Sequence, residues 1–287
     1  MHRAYAAENR VARPPWVRHL PWTSRSTLEP HFRLGLVAGR AVLVTGASRG
    51  IGRAVALAFA AAGERVAVHH RDSPELAEQT RSALAGDGHT VVRGDLADPE
   101  AVRSFVAAAA EALGGIDVLV NNAAVFAPRH PPAEVTYEQW QEAWSRIVGV
   151  NLLGAANATF CALPHLRRSR SGRVVNVSSR GAFRGEPEVP AYGATKAALN
   201  ALGQSLALAL AGDGIAVSTV APGFVETDMT NADLKAPRGA GIRAQSPFNR
   251  VARPEEVAAA VLYLASAEAE WASGAVLDLN GASYLRT

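Results

Sequence analysis

Cysteine is nearly absent from this 287-residue chain, where Cys161 stands alone. No intrachain disulfide can form, and a thiolate-based metal centre would lack its ligands. No apolar run approaching the ~18 residues of a membrane-spanning helix is expected either. The beginning of the chain lacks the apolar centre of a secretory signal. These absences point to a reducing, cytoplasmic setting without a membrane partner. An excess of one charge sign is missing as well. The formal net charge is +3, but residues 1–40 hold seven Arg against Glu8 and Glu29. The other 22 basic and 24 acidic side chains leave the rest near neutral. That balance gives no basis for nucleic-acid binding.

What is present divides near residue 38. Before it, Pro14, Pro15, Pro21 and Pro30 interrupt any helix, and no apolar stripe emerges. Residues 1–38 read as an N-terminal extension, a disordered tail; the alternative is an oligomer arm anchored by Trp16 and Trp22. From 39 to 287, short β-branched runs alternate with Ala/Leu-rich helical stretches. Strands are expected at Ala41–Thr45, Val66–His69, Thr90–Arg93, Asp117–Val120, Arg173–Val177, Ile215–Val220 and Ala275–Leu279. Helices are expected near 50–62, 74–85, 99–113, 136–163, 190–211 and 254–266. Such alternation implies one α/β domain of Rossmann type. Its sheet would be parallel and doubly wound, about seven strands with helices on both faces.

The first chemical signal is Thr45-Gly46-Ala47-Ser48-Arg49-Gly50-Ile51-Gly52, between the first strand and the first helix. Glycines there let the backbone turn tightly beside a pyrophosphate, and the helix end offers free N–H groups. At the end of the second strand, where an NAD-binding carboxylate would stand, the chain has His70 and then Arg71. Together with Arg49, Arg71 suits the 2′-phosphate of NADP(H). A shift of two residues would instead make Asp72 the ribose acceptor and favour NAD(H).

The second signal is Tyr192 and Lys196, one helical turn apart and so on one face. A nearby ammonium favours phenolate and lowers the high pKa of a tyrosine, making it a usable proton donor to a carbonyl. Ser178-Ser179 ends the fifth strand, where open α/β sheets bind ligands. The Ser179 hydroxyl suits a developing oxyanion; a turn cap is its alternative role.

With these landmarks in order, residues 39–287 resemble a short-chain dehydrogenase/reductase, similar to bacterial 3-oxoacyl-acyl-carrier-protein reductases. Asp95-Leu96, Asn121-Asn122-Ala123-Ala124, Asn151 and Pro222-Gly223-Phe224-Val225-Glu226-Thr227 complete the pattern. The resemblance implies a catalytic tetrad of Asn151, Ser179, Tyr192 and Lys196, with Asn151 bending its helix and helping Lys196 to hold a relay water. It also implies cofactor contacts. The glycine segment from Gly46 to Gly52 would hold the phosphates, Asp95 would contact adenine, and Asn122 and Ala123 would lie near the adenosine ribose. Lys196 would bind the nicotinamide ribose, and Pro222, Gly223, Val225 and Thr227 would border the nicotinamide. Two departures are Ala124 for the usual Gly and Asn280-Gly281-Ala282 where a Gly pair is commoner.

The implied reaction is NADPH-dependent reduction of a small ketone or aldehyde by a homodimer or homotetramer. The alternatives are an NAD-linked alcohol dehydrogenase working oxidatively and a non-catalytic NADP-binding regulator. The segment around 224–250 should form a mobile lid because of Gly239, Gly241 and nearby prolines. Phe224, Val225, Met229, Phe248 and Phe183 would line the substrate pocket. His69 and His70, on opposite faces of a strand, make a poor metal pair and read as solvated or cofactor-edge residues. The basic run 167–170 reads as a loop. In carrier-protein-dependent relatives such a run helps docking, together with a second basic position where this chain has Gly212-Asp213-Gly214. Carrier-protein use is therefore left open.

Overall fold

A computed structural model describes residues 39–169 and 171–286. The expectations for residues 1–38, and for Arg170 in the basic run, lie outside the described residues.

Seven strands form one parallel sheet: β1 (Ala41–Val44), β2 (Arg65–His70), β3 (Thr90–Arg93), β4 (Val118–Asn121), β5 (Arg173–Val177), β6 (Ala216–Pro222) and β7 (Val276–Leu279). Their order is β3-β2-β1-β4-β5-β6-β7. The chain winds outward in two directions from the β1/β4 junction, and ligand crevices form at such a switch point. Strand residues alternate between two cores, as a side-chain period of two requires. Val42, Val44, Val66, Val68, Val118 and Val120 face one core. Helices α1 (Gly50–Ala61) and α10 (Pro254–Leu264) cover that face. Leu43, Ala67, Leu119, Val174 and Val217 face the other core. It lies under α3 (Pro99–Leu113), α5 (Ala155–Leu166) and α7 (Pro190–Leu210). The small helix α2 (Pro74–Ser82) follows β2.

Local chemistry fixes the helix ends. Asp98 caps α3 by accepting from the Glu100 and Ala101 N–H groups, and Gly114 ends it in left-handed backbone at φ 75°. Thr136 and Gln139 form a reciprocal capping box at the start of α4 (Tyr137–Val148).

Three expectations need correction here. The helix foreseen at 136–163 runs on to Leu166 with Pro164 inside it, so the basic run begins at a helix end. Its α4 and α5 are joined through a π-helical stretch, Gly149–Gly154, that contains Asn151. The continuous helix Tyr137–Leu166 also holds an 18-residue window of mean hydropathy 1.5, although no such apolar run was expected. Nearly half of that window is buried within the fold. Finally, the lid is built from two short helices, α8 (Asp228–Lys235) and α9 (Gly239–Ala244). A Cβ on Gly239 would lie 2.1 Å from the Leu234 carbonyl oxygen, so close packing accounts for that glycine, whereas a Cβ on Gly241 would meet nothing within 4 Å. A further short helix, α6 (Gly181–Arg184), follows β5.

Candidate active site

The C-terminal ends of β1, β2, β4, β5 and β6 open into a cleft of about 820 Å³. Every residue assigned to the cofactor by sequence borders it: Gly46, Ser48, Arg49, Gly50, Ile51 and Gly52 at the phosphate end; His70, Arg71, Asp95 and Leu96 beyond; Asn122, Ala123, Pro222, Gly223, Val225 and Thr227 toward Tyr192 and Lys196.

At the phosphate end, the backbone of the glycine segment is packed too closely for side chains. A Cβ on Gly52 would stand 2.2 Å from Gly46 O and 2.5 Å from Asn122 Nδ2. Gly46 and Gly50 adopt φ 66° and 56°, which glycine adopts without strain. No side chain caps the N-terminus of α1, so its first N–H groups face the cleft unclaimed. Such a cradle of free N–H groups with no room for side chains fits a pyrophosphate. Asn122 supports it from below, donating through Nδ2 to Thr45 O and Gly46 O at 2.9 and 3.2 Å.

His69, read from the sequence as solvated or cofactor-edge, is a second support. It is buried, accepts the Gly46 N–H at Nδ1 (3.1 Å) and bonds Gly94 O through Nε2 (3.1 Å). Burial holds its pKa down to about 4, so it is neutral with the proton on Nε2. His70 is also buried and accepts the Ser73 N–H at Nδ1. Neither histidine is solvated, because β2 is covered on both faces; both border the cleft, which is the cofactor-edge position read as the alternative. Arg71 is not free of a carboxylate: its Nε and Nη2 bond Asp72 Oδ2 at 2.9 and 2.6 Å. Arg49 is exposed at the cleft edge. Asp95 is tied to Arg146 (2.8 Å) and accepts from Ala97 N.

At the other end of the cleft, α7 presents Tyr192 and Lys196, and the turn after β5 presents Ser179. Ser179 accepts the Gly181 N–H at 3.0 Å and lines the cleft together with Tyr192. Lys196 Nζ donates to Val177 O at 2.7 Å and lies 5.7 Å from the centre of the Tyr192 ring. The expected lowering of the tyrosine pKa by this ammonium is not what this geometry produces. Burial pushes the Tyr192 phenol up to about 12, with the Ser179 hydroxyl working the other way. Burial also brings Lys196 down to about 8. The ammonium donates to a carbonyl of β5, and burial is the largest influence on the phenol. Asn151 does not line the cleft. It is buried behind it, with Oδ1 accepting the Val125 N–H (2.8 Å) and Nδ2 donating to Val125 O (2.9 Å).

The loop after β4 thus becomes a wall of the site, which the sequence did not foretell. Phe126 stands edge-on to Tyr192, centroids 4.8 Å apart. Arg129 bridges Glu188 and, at 3.2 Å, Asp233 of α8, joining three segments around the mouth. The only available signal was position: these residues directly follow the Asn-Asn-Ala-Ala run at a strand end. Of the residues expected in the substrate pocket, Val225 and Met229 border the cleft. Phe224 and Phe248 border a separate cavity, and Phe183 lies under the Arg286 guanidinium at 4.3 Å.

Residues 46–281 match the family model described as Enoyl-(Acyl carrier protein) reductase. The chain belongs to the short-chain dehydrogenase/reductase family. It is 38% identical over 246 residues to cis-4-hydroxycyclohexanecarboxylate dehydrogenase of Sinomonas cyclohexanicum, covering 85% of this chain and 96% of that protein. It is 36% identical to 3-oxoacyl-acyl-carrier-protein reductase FabG of Vibrio cholerae, covering 86% and 98%. A Burkholderia cenocepacia short-chain dehydrogenase solved in complex with NADP superposes with TM-score 0.79 at 33% identity, covering 86% of this chain and 98% of that one. A Brucella melitensis 3-ketoacyl-(acyl-carrier-protein) reductase complexed with NADH gives 0.78 at 30%, covering 86% and 99%. Like these relatives, the family member described here is an oxidoreductase.

Proposed function

We propose that this short-chain dehydrogenase/reductase reduces a small ketone or aldehyde to an alcohol with NADPH. The observation carrying this reading is one cleft that has the glycine cradle at one end and Ser179, Tyr192 and Lys196 together at the other. The dinucleotide, when bound, supplies the hydride. Ser179 orients the carbonyl oxygen, and Tyr192 donates its phenolic proton to that oxygen as negative charge develops. With its pKa pushed up to about 12, Tyr192 holds that proton throughout the neutral range. Lys196 and Asn151 fix the surrounding backbone through Val177 and Val125 and would replenish the proton.

A small free substrate is favoured over a carrier-bound one. Arg167 Nε is engaged by Asp213 Oδ2 at 2.8 Å, so part of the basic run is neutralised at the position where docking relatives carry a second base. Arg49 and Arg71 support NADP(H). The Arg71–Asp72 pair supports the second reading, an NAD-linked enzyme in which Asp72 accepts the ribose hydroxyls.

NADPH oxidation should be followed against 3-oxoacyl thioesters, quinones and cyclic ketones. At least one should turn over, and Tyr192→Phe should lower kcat/KM about 100-fold or more. Near-normal turnover in that variant would remove the assignment. A strong preference for NADH would transfer the reading to the NAD-linked alternative.

A further inference from the structure

Behind the cleft, and partly open to solvent, lies a second cavity that shares a wall with it. Along Gly223-Phe224-Val225, side chains alternate: Gly223 and Val225 border the cleft, Phe224 the rear cavity. Ser179 and Arg180 part in the same way. The rear cavity has a volume of about 150 Å³, a size that accepts benzene when lined by apolar side chains. Phe224, Ile242, Phe248 and Leu279 supply apolar wall here.

Its polar feature is a buried cation. Arg180 is 4% exposed. Among the described residues its one side-chain hydrogen bond is from Nη1 to Ser283 Oγ (2.7 Å), and its guanidinium carbon lies 5.2 Å from the Phe224 ring centre. Glu186 acts on it through space, but the two form no ion pair. The other charged pair at this cavity, Arg250 and Glu256, is closed on itself by bonds of 2.7 and 2.6 Å. A buried guanidinium without a carboxylate is costly, and its planar fork matches a carboxylate in size and geometry.

We propose that the rear cavity binds a small monocarboxylate of about the size of butyrate. Its carboxylate pairs with Arg180 and its alkyl chain lies against Phe224, Ile242 and Phe248. The ligand would press on the segments that present Ser179 and Gly223 without entering the cleft, so it is an effector and not a substrate.

Calorimetric titration of the full chain with sodium butyrate, against butyramide at matched ionic strength, tests this. One butyrate should bind per chain, at least tenfold more tightly than the uncharged amide, and NADP⁺ should not displace it. Arg180→Gln should weaken butyrate about tenfold or more. Ile242→Trp, which fills the cavity and leaves the charge, should do the same, with thermal unfolding checking that each variant folds. Equal binding of the amide, no saturation by about 50 mM, displacement by NADP⁺, or unchanged affinity in Ile242→Trp would each overturn the proposal.

Discussion

His69 links fold and site through two hydrogen bonds, and its titration should be visible in stability. Its folded pKa, about 4, lies below the ordinary value of 6.5. The unfolded chain therefore binds a proton that the folded chain refuses as pH falls. Stability contributed by the neutral ring is intact above about pH 6.5 and is lost between there and pH 4, by roughly 3 kcal/mol. Urea unfolding at pH 7 and pH 4.5 should show this loss. His69→Gln should flatten that part of the profile while weakening dinucleotide binding, because the Gly46 N–H loses its designed acceptor. The residue scale is also where sequence reading was weakest. A histidine pair on a strand looks solvated until it is known that β2 is covered on both faces. Likewise, i and i+4 spacing placed Tyr192 and Lys196 on one face but could not reveal that Val177 O would take the ammonium. Ala282 is a smaller case. Its φ of 56° is a backbone that favours glycine, which gives a physical reason for the commoner Gly pair there.

Among the elements, the glycine segment was the most legible, since strand, turn and helix follow each other with no freedom in spacing. Its packing gives a sharp expectation. Gly52→Ala would force a methyl group against Gly46 O and Asn122 Nδ2, so it should abolish measurable dinucleotide binding and lower the unfolding midpoint. Gly212→Ala, with nothing within 4 Å of the added carbon, should change neither and serves as the control. Fluorescence titration with NADPH and a thermal melt would read both. The bend at Asn151 was legible through the family resemblance, but its π-helical form was not. Its cause is tertiary: Gly154 passes so near Leu96 that a Cβ would lie 2.7 Å away, and Asn151 is held by both backbone groups of Val125. The loop bearing Phe126 and Arg129 carries no periodicity at all, so only its place after β4 could have drawn attention to it.

At the scale of the molecule, fold class and strand order followed from alternation and length, whereas surfaces did not. Leu153 and Phe160, on the long helix 137–166, are 53% and 74% exposed, and Leu208 on α7 is 86% exposed. Large apolar side chains left in water mark contact surfaces, which suits the homodimer or homotetramer that the resemblance implies. Phe160→Asp should therefore yield a smaller species than the parent in light scattering after size exclusion; an unchanged mass would show that this face is not an interface.

Arg129 carries a consequence of another kind. Because it ties Glu188 and Asp233 together beside the cleft, the hold that the loop after β4, the segment before α7 and α8 have on one another there depends on exposed ion pairs, and dissolved electrolyte weakens such pairs. Dilute buffers would keep these three segments clasped more of the time. Candidate compounds are therefore best compared at more than one ionic strength, so that the looseness of this rim and the readiness to react are told apart.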